Sequence, residues 1–336
     1  MLKRVLAVAA ALYFVAAGQG LAAHRLERLT LQLKWLPQAQ FAGYLVAQAK
    51  GFYRQVGLQV AIRPGGPTTD PSGMLANRSA DVAIDWMPSA LAARERGTPI
   101  VNIAQMFQRS GMMLTCRRDS GVRSPADFKG KTLGVWFAGN QYPFLAWMAK
   151  LGLTTTGPHP DVHVLRQGAG VEPLLDKQAA CISTMTYNEY WQLIDAGIEP
   201  AQLVAFRYQD YGVATLEDGL YTTEANLADS RMRDRLARFL RASVKGWQYA
   251  MANPHEAVGI VMRVRPRARM DRRHEQRMLE EIVKLIPESG HGIGYLEPAA
   301  YQQTVKVLMS GAADPVIRHE PKGAWTHEIW NEAFGG

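Results

Sequence analysis

The sequence predicts an α/β protein with largely parallel sheets, divided into two lobes, and three observations carry that expectation. Strand candidates alternate with helix candidates along most of the chain. About 310 residues remain once a leader is set aside, more than one hydrophobic core usually serves. The alternation also restarts after Met113–Arg117, and a further strand-like stretch follows at Val213–Tyr221. If these stretches are two crossovers, one lobe takes residues 24–114 with 222–336 and the other takes 115–215, with 216–221 inside the second crossover.

Residues 1–23 are read as a secretory signal peptide: Lys3-Arg4, the apolar run Val5–Ala17, then small residues at Ala22-Ala23. The run is short for a membrane span, which needs about 20 apolar residues. A lipoprotein would need a cysteine at the cleavage point, and the chain has only Cys116 and Cys181. A periplasmic protein with its leader removed is expected.

The first strand is Leu29–Trp35, with Leu29, Leu31 and Leu33 alternating with polar neighbours until Pro37 breaks the run. A helix follows from Phe41, with Tyr44, Leu45, Ala49 and Phe52 at helical spacing and Gly51 as its stop. Gln59–Arg63, Val82–Asp85 and Ile100–Ala104 are the next strands, and a helix is expected near Pro71–Asn77. The second set opens at Ser124-Pro125-Ala126-Asp127, with Ser124 as N-cap and Pro125 at the first helical position. Strands follow at Lys131–Phe137, Val162–Arg166 and Cys181–Met185, with helices at Tyr142–Lys150 and Tyr187–Ile194.

Composition excludes several classes. The formal charge of +8 falls to +6 when Lys3 and Arg4 are lost with the leader. Much of the excess lies in Arg263–Arg273, a run without interleaved aromatics that is read as a solvated face, so no nucleic-acid partner is expected. The histidines are scattered and neither cysteine has metal-ligand spacing, so no metal and no cofactor are expected. Both cysteines sit in apolar strands and are expected to be free buried thiols, although an oxidising compartment would let them pair. Gly-x-Ser-x-Gly and a His–Glu metal motif are absent, which argues against an exported hydrolase.

The carboxyl ends of strands in open α/β sheets are where small ligands bind. Trp35, Gln38, Gln40, Phe41, Tyr44, Asp85 and Trp86 gather there in the first lobe, and Trp136, Asn140, Tyr142, Tyr187, Asn188, Glu189 and Trp191 in the second. A flat heteroaromatic ligand needs apolar faces to stack on and a few edge contacts, and these residues supply both. Each has a structural alternative. The tryptophans could cap the core, Asp85 could satisfy a helix N-terminus, Gly139-Asn140 could be a plain turn, and Tyr187-Asn188-Glu189 could be an N-cap with its first turn. Asp85 is expected in the cleft, where it could accept from an aminopyrimidine edge. Gly65-Gly66-Pro67-Thr68-Thr69 lacks the lysine of a P-loop and is read as a turn.

Several blocks carry a family resemblance: Lys34-Trp35-Leu36-Pro37-Gln38-Ala39-Gln40-Phe41-Ala42-Gly43-Tyr44, Ala49-Lys50-Gly51-Phe52-Tyr53, Asp127-Phe128-Lys129-Gly130-Lys131, Val135-Trp136-Phe137-Ala138-Gly139-Asn140 and Met185-Thr186-Tyr187-Asn188-Glu189-Tyr190. Together they resemble the ABC-transporter substrate-binding proteins of the thiamine-pyrimidine synthase-like family. The resemblance implies a two-lobed periplasmic binding fold of the type with two crossover strands, which closes over its ligand and delivers it to a membrane permease. It also implies a small heteroaromatic ligand, most naturally a pyrimidine precursor of thiamine, with riboflavin as an alternative. A monomer is expected. The synthase of the same family is the enzymatic alternative, but its Schiff-base lysine and substrate histidine are matched here by Asp85 and Ser89, and its cysteine motif is missing.

Overall fold

The computed structural model describes residues 25–264, 271–286, 290–310 and 315–335. The leader expected at 1–23 and the middle of the basic run, 265–270, lie outside the described residues.

Among the described residues, ten strands form two five-stranded sheets. They are β1 (Glu27–Gln32), β2 (Leu58–Arg63), β3 (Val82–Asp85), β4 (Ile100–Gln105), β5 (Met112–Arg117), β6 (Thr132–Val135), β7 (His163–Arg166), β8 (Cys181–Met185), β9 (Leu203–Arg207) and β10 (Gly219–Thr223). The helices are α1 (Ala42–Ala49), α2 (Phe52–Gln55), α3 (Pro71–Ala76), α4 (Met87–Glu95), α5 (Tyr142–Lys150), α6 (Glu172–Leu175), α7 (Glu189–Asp195), α8 (Glu224–Ala228), α9 (Ser230–Ala252), α10 (Pro254–Val264), α11 (Arg272–Val283), α12 (Pro298–Leu308) and α13 (Glu328–Phe334).

The first sheet runs β2-β1-β3-β10-β4 and the second β7-β6-β8-β5-β9. In each, one strand runs against its neighbours: β10 between β3 and β4, β5 between β8 and β9. The remaining ladders are parallel. The chain thus passes from the first sheet to the second through 106–111 and returns through 208–218, each time inserting its next strand into the interior of the receiving sheet. The central strands β3 and β8 are buried along their whole length, and so is β4 at one edge of its sheet, where the segments at Gly294 and Trp325 cover it, whereas β2 alternates buried and exposed residues at the opposite edge.

Local chemistry accounts for several boundaries. Ser124 and Asp127 form a reciprocal capping box with Pro125 at the first position, but the turn they open is 3-10 and ends at Phe128. The Asp229 side chain accepts from the Arg231 and Met232 amides and starts α9. Helix α9 crosses α1 closely: a Cβ on Gly246 would sit 2.1 Å from the Gly43 carbonyl, and one on Gly43 would sit 2.3 Å from the Trp247 ring. Only glycines allow that approach.

One expectation is corrected. Cys116 and Cys181 are not free thiols but a disulfide, with an S–S distance of 2.02 Å. Antiparallel pairing of β5 with β8 sets the two residues directly opposite each other, a juxtaposition invisible when each cysteine is judged by its own apolar neighbours.

Candidate functional site

The carboxyl ends of β1, β3, β6 and β8 converge between the sheets and enclose a small, nearly closed cavity. It is lined by Lys34, Trp35, Gln38, Gln40 and Trp86 from the first lobe and by Trp136, Asn140, Met185, Tyr187, Asn188 and Glu189 from the second. Trp136 meets both first-lobe indoles edge-on, its ring centroid 5.9 Å from that of Trp35 and 6.4 Å from that of Trp86. Three indoles therefore frame the cavity from both sides, in the geometry that aromatic quadrupoles favour.

Beneath the indoles lies a buried ion pair. Lys34 Nζ is 2.8 Å from Asp85 Oδ1, and both side chains are almost wholly buried. Asp85 also accepts from Ser72 Oγ at 2.6 Å, from Ser89 Oγ at 3.2 Å and from the Trp86 amide at 2.8 Å. A buried carboxylate needs such a shell to offset its lost hydration. Lys34 also donates to the Ala138 carbonyl at 3.2 Å, across the cleft. Ala138 and Gly139 both have positive φ, and a Cβ on Gly139 would sit 2.2 Å from Ser89 Oγ. The second-lobe loop is seated directly on the first.

Polar groups at the cavity wall form two chains. Gln38 Nε2 donates to Gln40 Oε1, Gln40 Nε2 donates to Asp218 Oδ2 at 2.7 Å, and the Trp86 indole N–H donates to Asp218 Oδ1 at 2.9 Å. On the other wall, Glu189 accepts from the Met185 amide at 3.0 Å and from Asn188 Nδ2 at 2.7 Å. Burial pushes both carboxyls up to about 7, and pushes neighbouring Glu217 to about 8. Burial, then the charges of Asp218, Glu217 and Glu189, hold the Tyr187 phenol well above its ordinary range, so it stays neutral. Asn140 Oδ1 is buried and has no hydrogen-bond partner among the described residues.

Of the residues expected at the site, Trp35, Gln38, Gln40, Trp86, Trp136, Asn140, Tyr187, Asn188 and Glu189 are brought together at the cavity. Phe41, Tyr44, Asp85, Tyr142 and Trp191 are not among its lining. Phe41 is wholly buried in the core, and Tyr44 packs edge-on against Trp247 at 5.8 Å. Asp85 lies under the cavity on Lys34, Tyr142 packs on the cluster around Met87 and Leu91, and Trp191 donates to the Thr186 carbonyl. Sequence reasoning missed Lys34, Met185 and Asp218. Lys34 had a signal: it stands at the end of an apolar strand, where a cation needs a buried counter-charge, and Asp85 interrupts another such strand.

Two α/β lobes joined by two crossing segments, with an aromatic cavity where their strand ends meet, define the periplasmic binding-protein class of fold. The match to the alkanesulfonate-binding protein SsuA of Xanthomonas axonopodis pv. citri agrees, with a TM-score of 0.64 at 14% identity over 89% of this chain and 98% of that one. The chain belongs to the NMT1/THI5 like family, whose model matches residues 38–257. It is 27% identical to the formylaminopyrimidine-binding protein of Halalkalibacterium halodurans over 70% of each chain. It is 25% identical to the riboflavin-binding protein RibY of Chloroflexus aurantiacus over 84% of this chain and 80% of that one. No helix among the described residues is long and apolar enough to cross a membrane.

Proposed function

We propose that this protein is the solute-binding component of an ABC importer, exported to the periplasm as a monomer, and that it closes over a single-ring aminopyrimidine related to the precursors of thiamine and hands it intact to a membrane permease. The observation that carries this reading is the cavity itself: indoles from both lobes frame it, and the buried Asn140 Oδ1 in its wall has no donor among the described residues. A buried acceptor left unpaired costs roughly 1–3 kcal/mol, so a ligand N–H placed there is favoured. An exocyclic amino group supplies one.

The similarity to a formylaminopyrimidine-binding protein supports the ligand class. The signal pattern and the buried disulfide support export. Riboflavin is the second reading, kept because the similarity to RibY spans more of the chain. The synthase reading has less support: Asp85 and Ser89 stand where the enzyme has its lysine and histidine, and the cavity amine, Lys34, is already engaged by Asp85 and the Ala138 carbonyl. A thermal-shift panel of 4-amino-5-hydroxymethyl-2-methylpyrimidine, formylaminopyrimidine and riboflavin, with pyridoxal phosphate plus histidine as the enzyme control, tests this. Stabilisation by a pyrimidine without turnover is expected. A lysine-linked pyridoxal phosphate chromophore, or stabilisation by riboflavin alone, would overturn it.

A further inference from the structure

Helix α11 lies beyond the region that the family model matches, yet it touches both walls of the cleft. It packs on α10 and on the turn at 39–41, and Glu275 accepts from the Ala39 amide at 2.7 Å, which fixes it to the first lobe. From the same helix, His274 and Arg277 reach the second lobe. His274 Nδ1 lies 3.2 Å from Asp195 Oδ2 and Nε2 lies 3.0 Å from Asn188 Oδ1. Arg277 is 3.2 Å from Asp195 Oδ1, and its guanidinium lies over the Trp191 ring at 4.5 Å.

Asn188 is the residue through which these contacts meet the ligand site. Its carbonyl oxygen accepts from His274 and from Gln192 Nε2 at 2.9 Å, and its amide nitrogen donates to Glu189 Oε1. Turned round, the amide would set its oxygen against the Glu189 carboxyl and its NH2 against the Gln192 donor. Its orientation at the cavity wall is therefore held partly from the other lobe.

We propose that His274 and Arg277 are positioning residues, which clasp α7 to the first lobe and thereby hold the cleft shut and Asn188 in register with the cavity. Neither lines the cavity, and both act through Asp195 and Asn188. The clasp rests on the two-lobed fold and not on which ring is bound. Its strength comes from side chains that are only partly exposed, with ring and guanidinium sharing one carboxylate, so losing either should be felt chiefly in how fast the lobes part.

The test uses small-angle scattering of the purified, ligand-free protein and stopped-flow kinetics with 4-amino-5-hydroxymethyl-2-methylpyrimidine as probe. His274→Ala and the pair Asp195→Ala/Arg277→Met should each enlarge the radius of gyration and raise the dissociation rate about fivefold or more, with the association rate changed less than about twofold. Combining His274→Ala with Asp195→Ala should add little to either alone, because both break one contact set. An unchanged scattering profile in both variants would overturn the clasp, whatever the ligand proves to be. If scattering shifts while no pyrimidine binds, the clasp is supported and the ligand reading fails.

Discussion

Asp218 gives the most quantitative prediction. Its carboxyl is buried behind Trp86, accepts from that indole and from Gln40, and has been pushed from an ordinary 3.8 up to about 7 by burial. The native state therefore holds a proton that the unfolded chain gives up between those values. Stability from this group is complete below pH 3.8, declines as pH rises, and is gone above about 7. One proton difference is worth about 1.4 kcal/mol per pH unit, so wild type should lose about 2–3 kcal/mol between pH 5 and pH 7 through this residue alone. Asp218→Asn removes the titration and keeps the shape, and asparagine tolerates the positive φ of 42° found there. Guanidinium denaturation of both proteins at pH 5, 6 and 7 reads the difference. Glu189 titrates in the same window but is common to both proteins and cancels, whereas Glu217, which the Asp218 charge helps to push up, should titrate somewhat lower in the variant and trim the difference at the upper end of the range. Parallel stability curves would refute the assignment of a buried, proton-holding carboxyl at this position.

Three more outcomes follow from the same geometry. Lys34→Met strands the Asp85 charge under the cavity and should cost about 3–5 kcal/mol in denaturant unfolding, with Lys34→Met/Asp85→Leu recovering most of the loss. Replacing both Cys116 and Cys181 by alanine opens a loop spanning 65 residues of sequence separation and should lower stability by about 4 kcal/mol on a chain-entropy account; an unchanged denaturation midpoint would contradict it. Gly139→Ala places a methyl on Ser89 and asks an alanine to adopt φ near 95°, so ligand affinity should fall at least about tenfold, near 1.4 kcal/mol, with a larger ligand-free radius by scattering.

How legible the molecule was depended on whether its determinants were local. Val82–Asp85, Cys181–Met185 and Tyr142–Lys150 appear with the boundaries expected, because apolar runs and flanking breakers sit in the same few residues. The first strand stops at Gln32 instead of Trp35, and Lys34 and Trp35 beyond its end turn into the cavity wall. Leu203–Arg207 was not anticipated: it is an edge strand with only two buried residues, too weak a pattern to stand out. The returning strand was expected at Val213–Tyr221 and lies at Gly219–Thr223, where its partners β3 and β4, distant in sequence, decide the register. The site divides the same way. Tryptophans at strand ends were readable, whereas the carboxyl beside Trp86 comes from Asp218, 132 residues away, and the disulfide likewise joins strands that only the sheet makes neighbours.

The central claim is that Trp35, Trp86 and Trp136 enclose one flat ring between two lobes. Calorimetric titration of the protein and of Trp86→Ala with 4-amino-5-hydroxymethyl-2-methylpyrimidine tests it most directly. One-to-one binding by the wild type, weakened at least about tenfold in the variant, is the predicted result. Undiminished affinity in Trp86→Ala, or no heat from the wild type, would contradict it.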